Sequence, residues 1–235
     1  MLFPCSLTRF ELYIIYLYSN IMPYFKNNDI NILFIHIPKT GGTSVELYFS
    51  KKFNIPLNNK SLMNFIEDEH LLNKNIQINS SLQHTTYNQL VKYSKIFNIC
   101  FDNIQIITIV RNPYKRFVSD LFFFSLITQD SSKEEVFNIL TNYLASDKYD
   151  NHNIPQHKFI TNDKGEIIKN IHILKTESLT YEMKNLGYLD FDVYTNVNTS
   201  KPNYFNYLNN ESLKIINDFY HMDFILFNYD KKKTN

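Results

Sequence analysis

The chain has 235 residues, 44% of them hydrophobic and 16% aromatic, with 20 Phe, 17 Tyr, 4 Gly and no Trp. That length and apolar content support one domain with a sizeable core and exclude a disordered or repetitive chain. A formal net charge of +1 excludes a general polyanion-binding surface, so nucleic acid is not an expected partner and any basic site must be local.

The N-terminal run "LYIIYLYSNIM" (12–22) is apolar, but Glu11 precedes it and Asn20 interrupts it. It falls short of the ~20 residues of a membrane helix and shows no small-residue cleavage site. Residues 1–30 are therefore set apart as an extension, either dispensable (Met22 offers an alternative start) or a degenerate anchor. Residues 31–230 form the expected domain, and 231–235 a polar tail. A cytoplasmic location without membrane association is the expectation, with an anchored or Golgi-type lumenal protein as the alternative.

"NILFIHI" (31–37) reads as a buried strand, and "TSVELYFSKKF" after it as a helix with Val45, Tyr48 and Phe49 on one side. A helix is placed near 60–72, and a loop followed by a helix over 83–97. "IQIITIV" (104–110) is the second buried strand. It runs into a helix capped by Asn112, with Pro113 at the first helical position. Further expected elements are a helix over 133–146, a hairpin over 158–169 turning at Lys164-Gly165, and a strand over 171–179 leading to a helix. A C-terminal helix starting at the Asn210 cap, with a closing segment, ends the chain. Strands alternating with helices imply a mostly parallel central sheet flanked by helices, an α/β fold. Ligands in such folds lie beyond the C-terminal strand ends.

Two stretches begin at such ends. In "HIPKTGGTS" (36–44), Gly41 and Gly42 permit close backbone approach to an anion, and Thr40, Thr43 and Ser44 supply hydroxyls. The N–H groups at 41–45 open a helix, and Lys39 adds a mobile charge. In "VRNPYKRFVS" (110–119), Arg111 leaves the strand with a guanidinium able to grip a phosphate, and Ser119 lies two turns into the helix. Lys39 precedes the glycines, whereas the common nucleotide-phosphate loop has its lysine after them. Cys5 and Cys100 give neither a metal spacing nor a disulfide framework, and no metal-ligand cluster is visible along the chain.

"HIPKTGGTS" resembles the 5′-phosphosulfate loop of sulfotransferases that use 3′-phosphoadenosine 5′-phosphosulfate (PAPS), and "IVRNPYKRFVS" resembles their 3′-phosphate motif. The likeness is to the carbohydrate group that includes heparan sulfate 2-O-sulfotransferase. Weaker similarities run through "QHTTY", "IPQHKFI", "ILKTESL", "NVNTSKPNYFNYL" and "FYHMDFILFNYD", over about residues 31–230. The resemblance implies the sulfotransferase variant of the P-loop-type α/β fold, with PAPS as co-substrate and no metal. It implies that Lys39, Thr40, Gly41, Gly42, Thr43 and Ser44 hold the 5′-phosphosulfate and that Arg111 and Ser119 hold the 3′-phosphate. Lys201 would be a further nucleotide contact. A hydroxyl acceptor, a glycan by this likeness, would be deprotonated by His84 while Lys39 stabilises the leaving oxygen.

Other histidines and one carboxylate are weighed beside these. His36 is expected to pack within its strand, His157 could line the acceptor side, and Glu46 is taken as a solvated helix glutamate. Two alternatives to a sulfotransferase stay open. A nucleotide kinase or ATPase would need a carboxylate-bearing strand for magnesium, where "TIVRNP" offers Arg111 instead. A non-catalytic nucleotide- or glycan-binding protein would have kept the loop without turnover.

Overall fold

The computed structural model describes residues 24–57, 76, 78–192 and 203–234. A four-stranded sheet stands at its centre in the order β1-β2-β3-β4. The strands are β1 (Tyr24–Lys26), β2 (Asn31–Ile35), β3 (Gln105–Val110) and β4 (Ile171–Lys175). β2, β3 and β4 are parallel, with Ile35 opposite Thr108 and Val110 opposite Lys175. The short β1 runs antiparallel to β2 with Tyr24 opposite Leu33, so the sheet begins ahead of Asn31. Three residues are too few for a periodicity signal, yet Phe25 is fully buried.

Seven α-helices and four short 3₁₀ turns (Leu82–His84, Gln156–Phe159, Thr176–Ser178 and Tyr204–Tyr207) complete the described elements. The α-helices are α1 (Gly42–Phe53), α2 (Tyr87–Lys92), α3 (Pro113–Phe123), α4 (Lys133–Ala145), α5 (Leu179–Asn185), α6 (Asn210–Phe219) and α7 (His221–Leu226). Alternation along the strands divides the core. Ile32, Phe34, Ile107 and Ile109 pack with Val45 and Phe49 of α1 and Met183 of α5. Leu33, Ile35, Ile106 and Val110 face the other way, onto Leu90, Phe159, Ile160 and Phe227. A third cluster, with Phe117, Leu121, Val136, Leu140, Ile216 and Phe224, joins α3, α4, α6 and α7. Both sheet faces are covered, as the alternation of elements requires.

Local chemistry sets the helix starts. Asn112 accepts from Lys115 N at 3.3 Å with Pro113 next to it. Ser132 and Glu135 form a reciprocal capping box, and Thr86 and Gln89 another. The α6 cap is Asn209, which accepts from Ser212 N at 2.8 Å, one residue ahead of the expected Asn210. The closing segment is itself a helix, α7. Of the helix expected within 83–97 only 87–92 is α-helical, and the chain then turns to Asn98 at a φ of 52°. The 158–169 turn is present, with Gly165 at a φ of 78°, but pairing shrinks to one bridge between Thr161 and Ile167. The Asn162 side chain accepts from Lys164 N and Glu166 N at 3.0 Å each, replacing ladder bonds. The helix expected near 60–72 lies outside the described residues.

Arg116 is buried on α3, and sequence reading gave it no role. Its guanidinium donates to Pro38 O at 3.0 Å, to Ile154 O at 2.9 Å and to His152 O, tying the glycine loop to the 152–154 segment. Arg116→Met would keep the volume but strand three carbonyls, two of them buried. The expected loss is about 3–5 kcal/mol of unfolding free energy, read from the urea midpoint.

Candidate active site

The C-terminal ends of β2, β3 and β4 share one edge of the sheet, and the loops leaving them meet there. Lys39 and Gly41 both adopt left-handed backbone, at φ of 63° and 94°, which turns the chain sharply into α1. The Thr40 hydroxyl donates to Ile37 O at 2.7 Å, so this buried side chain braces the loop rather than facing a ligand. Ser44 N reaches Gly41 O at 3.2 Å, which leaves Gly42 N–H and Thr43 N–H at the open first turn. Thr43 is exposed and Ser44 buried. Thr176, at the end of β4, places its hydroxyl 2.6 Å from Thr40 O and 3.1 Å from Val110 O, linking the first loop to β3.

Gly42 has a steric reason to be glycine. A Cβ there would lie 2.5 Å from His36 Nε2, 2.6 Å from its Cδ2 and 2.8 Å from its Cε1. The ring cannot retreat cheaply, because Nδ1 is held 2.6 Å from Glu46 Oε1 and 3.0 Å from Gln83 Nε2. Gly42→Ala is expected to cost about 1–3 kcal/mol by overpacking, read as a lowered Tm. His36 is packed, as expected, whereas Glu46 is not a solvated glutamate. It is buried, and it accepts from Gln83 Nε2 at 2.8 Å as well as pairing with His36.

Lys39 Nζ lies 4.1 Å from the centroid of the exposed Phe123 ring. Burial lowers its pKa below the ordinary 10.5; Asp120 opposes that shift and Arg111 adds to it. Arg111 is joined to Lys39 directly, its Nη1 donating to Lys39 O at 3.0 Å, while Nη2 donates to Tyr204 OH at 3.2 Å. The backbone of Arg111 is clamped by Gln156, through Arg111 N to Oε1 at 2.8 Å and Nε2 to Arg111 O at 2.9 Å. Gln156 N in turn donates to the buried Asp223 of α7 at 2.7 Å. Asp223 also takes His157 Nδ1 at 2.7 Å, which directs His157 toward α7. Ser119 is half-buried on α3. Lys201 lies outside the described residues.

His84 sits beside this loop in a row of three imidazoles. Its ring centroid is 5.3 Å from that of His36 and 4.8 Å from that of His152, edge to face in both cases. Each Nδ1 meets a carboxylate oxygen: Glu46 for His36, Asp150 at 2.7 Å for His84, and Asp120 at 2.6 Å for His152. An acceptor on Nδ1 fixes the hydrogen there and leaves the lone pair of His84 and His152 on Nε2. Burial pushes the His84 pKa down to about 4, and the Asp150 hydrogen bond opposes it while the neighbouring imidazoles add to it. His152 also stacks on Phe123, 5.2 Å between centroids and 13° from parallel. Lys39 and His84 therefore flank one stack, Lys39 on Phe123 and His84 on His152.

Asp120, Asp150, His152, Gln156 and Asp223 escaped sequence reading. Gln156 and Asp223 lie within the weaker similarities "IPQHKFI" and "FYHMDFILFNYD", which gave them no role, and Asp150 and Asn151 both take left-handed backbone, at φ of 48° and 61°. A metal-ligand group was not visible along the chain either, yet folding brings one ligand atom each of His84, Asp150 and His152 within 4.8 Å of one another.

Fold and loop together define an α/β protein with a glycine loop and a helix N-terminus at the strand ends. The chain belongs to the sulfotransferase family, whose model, described as "Sulfotransferase family", matches residues 22–230. No curated protein and no solved structure matches the chain. Membership identifies a sulfuryl-transferring enzyme and sets aside the nucleotide kinase alternative. No helix among the described residues is long and apolar enough to cross a membrane.

Proposed function

We propose that this protein moves the sulfuryl group of PAPS to a hydroxyl, with a carbohydrate as the acceptor class. Family membership supports sulfuryl transfer, and PAPS is the donor that sulfotransferases generally use. The observation that carries the residue roles is the link between the two loops. Arg111 donates to the Lys39 carbonyl while Lys39 and His84 flank the Phe123–His152 stack.

In this reading the N–H groups of Gly41, Gly42 and Thr43, with Lys39 and the hydroxyls of Thr43 and Ser44, receive the 5′-phosphosulfate. Thr40 contributes backbone and loop shape. Arg111, with Ser119, receives the 3′-phosphate, and its two present acceptors, Lys39 O and Tyr204 OH, are neutral groups that a phosphate outcompetes. Lys201 stays a proposed closing contact. His84 Nε2 takes the acceptor proton as its oxygen attacks sulfur. The sulfur–oxygen bond to phosphate breaks in line, and that oxygen leaves with the charge that Lys39 stabilises. The products are a sulfate ester and adenosine 3′,5′-bisphosphate. A bound polyanionic donor stabilises the imidazolium, which strengthens a base that burial alone holds weak.

The test is a transfer assay with ³⁵S-labelled donor and three acceptor sets: oligosaccharides, simple phenols and tyrosyl peptides. Label on oligosaccharide is the expected result. Label on phenol or peptide alone would overturn the acceptor class. Transfer to none, with donor bound, would favour a binding protein that lacks turnover.

A further inference from the structure

We infer that Asp150 is the positioning residue of the proposed base: it keeps the His84 proton on Nδ1, so that the Nε2 lone pair meets the acceptor hydroxyl. The catalytic half rests on His84 being the base; the tautomer half does not.

Both oxygens of the Asp150 carboxylate are spent on the segment that carries His84. Oδ2 lies 2.7 Å from His84 Nδ1, and Oδ1 accepts from Ser81 N. The next side chain holds the backbone of the same histidine, with Asn151 Nδ2 donating to His84 O at 2.9 Å. Two consecutive residues therefore grip the ring and the main chain of His84. The grip costs strain, since Asp150 and Asn151 both take left-handed backbone, at φ of 48° and 61°. Asp and Asn tolerate that region better than most residues with a side chain, and here each side chain is also used.

The corner is anchored to the donor loop as well. Arg116 holds His152 O and Ile154 O just beyond it, and Pro38 O just ahead of Lys39. One buried guanidinium thus ties the grip on the base to the loop that bears Lys39. Burial opposes ionisation of Asp150, but the hydrogen bonds and charge at His84 and the bonds from Ser81 prevail and hold its carboxyl below the ordinary 3.8. A carboxylate only accepts, so Nδ1 must donate, and the imidazolium formed on proton uptake is stabilised on the side away from the substrate. The Ser81 hydroxyl, 3.3 Å from the same Nδ1, is too distant to compete.

Asp150→Asn inverts this arrangement. Ser81 N–H requires an oxygen, so the amide oxygen turns to Ser81 and the NH₂ group faces His84 Nδ1. Nδ1 then becomes the acceptor, the proton moves to Nε2, and the lone pair is lost to the substrate.

The experiment is long-range ¹H–¹⁵N NMR of the His84 ring in the full chain at neutral pH, for wild type, Asp150→Asn and Asn151→Gly. His84→Asn assigns the ring signals. Kinetics of ³⁵S transfer from PAPS to oligosaccharides, titration with adenosine 3′,5′-bisphosphate and thermal melts accompany it. The proton is expected on Nδ1 in wild type and Asn151→Gly, and on Nε2 in Asp150→Asn. In Asp150→Asn kcat should fall about 10²- to 10⁴-fold, the worth of a general base, with bisphosphate affinity and Tm close to wild type. Asn151→Gly, which suits the left-handed backbone, should lose about 10-fold or less, the worth of one hydrogen bond. A proton on Nε2 in wild type, or one that stays on Nδ1 in Asp150→Asn, overturns the inference. So does a loss in Asn151→Gly as large as that in Asp150→Asn, which would make the corner a structural support. If His84→Asn loses rate and Asp150→Asn does not, the positioning role falls and the base stands. If the tautomer inverts while both variants keep wild-type kcat, the base falls and the tautomer half stands.

Discussion

His84→Asn should fold, bind the donor and turn over about 10²- to 10⁴-fold more slowly, the range that general base catalysis supplies. Asparagine is the informative substitution because its amide nitrogen falls near the imidazole Nδ1. It can still donate to Asp150, so no carboxylate is left unpaired at a half-buried position. What it lacks is the Nε2 lone pair. The loss should therefore appear in kcat, with donor KM and melting temperature close to wild type. A fall in stability matching the fall in rate would instead make His84 a structural residue of the imidazole row.

Lys39→Ala carries the second large effect. Removing a charge placed at a developing oxyanion typically costs ~3–4 kcal/mol of barrier, or about 10²- to 10³-fold in kcat. Alanine and lysine bear the same strain at the positive φ of residue 39, and the Arg111 contact is to the Lys39 carbonyl, which alanine keeps. Fold and 3′-phosphate recognition should survive. The pH dependence adds a second reading. Lys39 acts as a cation, so its contribution is complete below its pKa and is lost as pH rises through it. Burial places that pKa below 10.5, so the alkaline limb of kcat/KM should lie below the ordinary lysine range. Lys39→Arg should move that limb upward, because a guanidinium does not titrate there. An alkaline limb that ignores residue 39 would remove Lys39 from the chemistry.

The parts of the fold legible in the sequence were those with local causes. β2 and β3 are short apolar runs buried on both faces, and α3 announces itself with Asn112 and Pro113. The glycine loop was legible because Gly41 needs a left-handed φ and Gly42 cannot carry a Cβ against His36. β1 was missed because three residues carry no period, and its role comes from pairing with β2.

The site was legible only where a motif names it. Asp150 and His84 are 66 positions apart, and His152 and Asp120 are 32 apart, so each pairing arises from tertiary folding. Glu46 is the instructive miss. Gly42, Val45, Glu46 and Phe49 fall at i, i+3, i+4 and i+7, the buried stripe of α1. A carboxylate on that stripe needs a buried partner, and His36 at the end of β2 supplies it. The same logic accounts for Arg116, whose charge lies in the core because three carbonyls converge on it.

The central claim is that the two strand-end loops grip a nucleotide carrying a 3′-phosphate. Thermal-shift titration with adenosine 3′,5′-bisphosphate, against ADP and ATP, with and without magnesium, tests it most directly. The account predicts a metal-independent rise in Tm for the bisphosphate, smaller for ADP and ATP, and abolished in Arg111→Ala. Equal shifts for all three nucleotides, or a bisphosphate shift that survives the loss of Arg111, would contradict it.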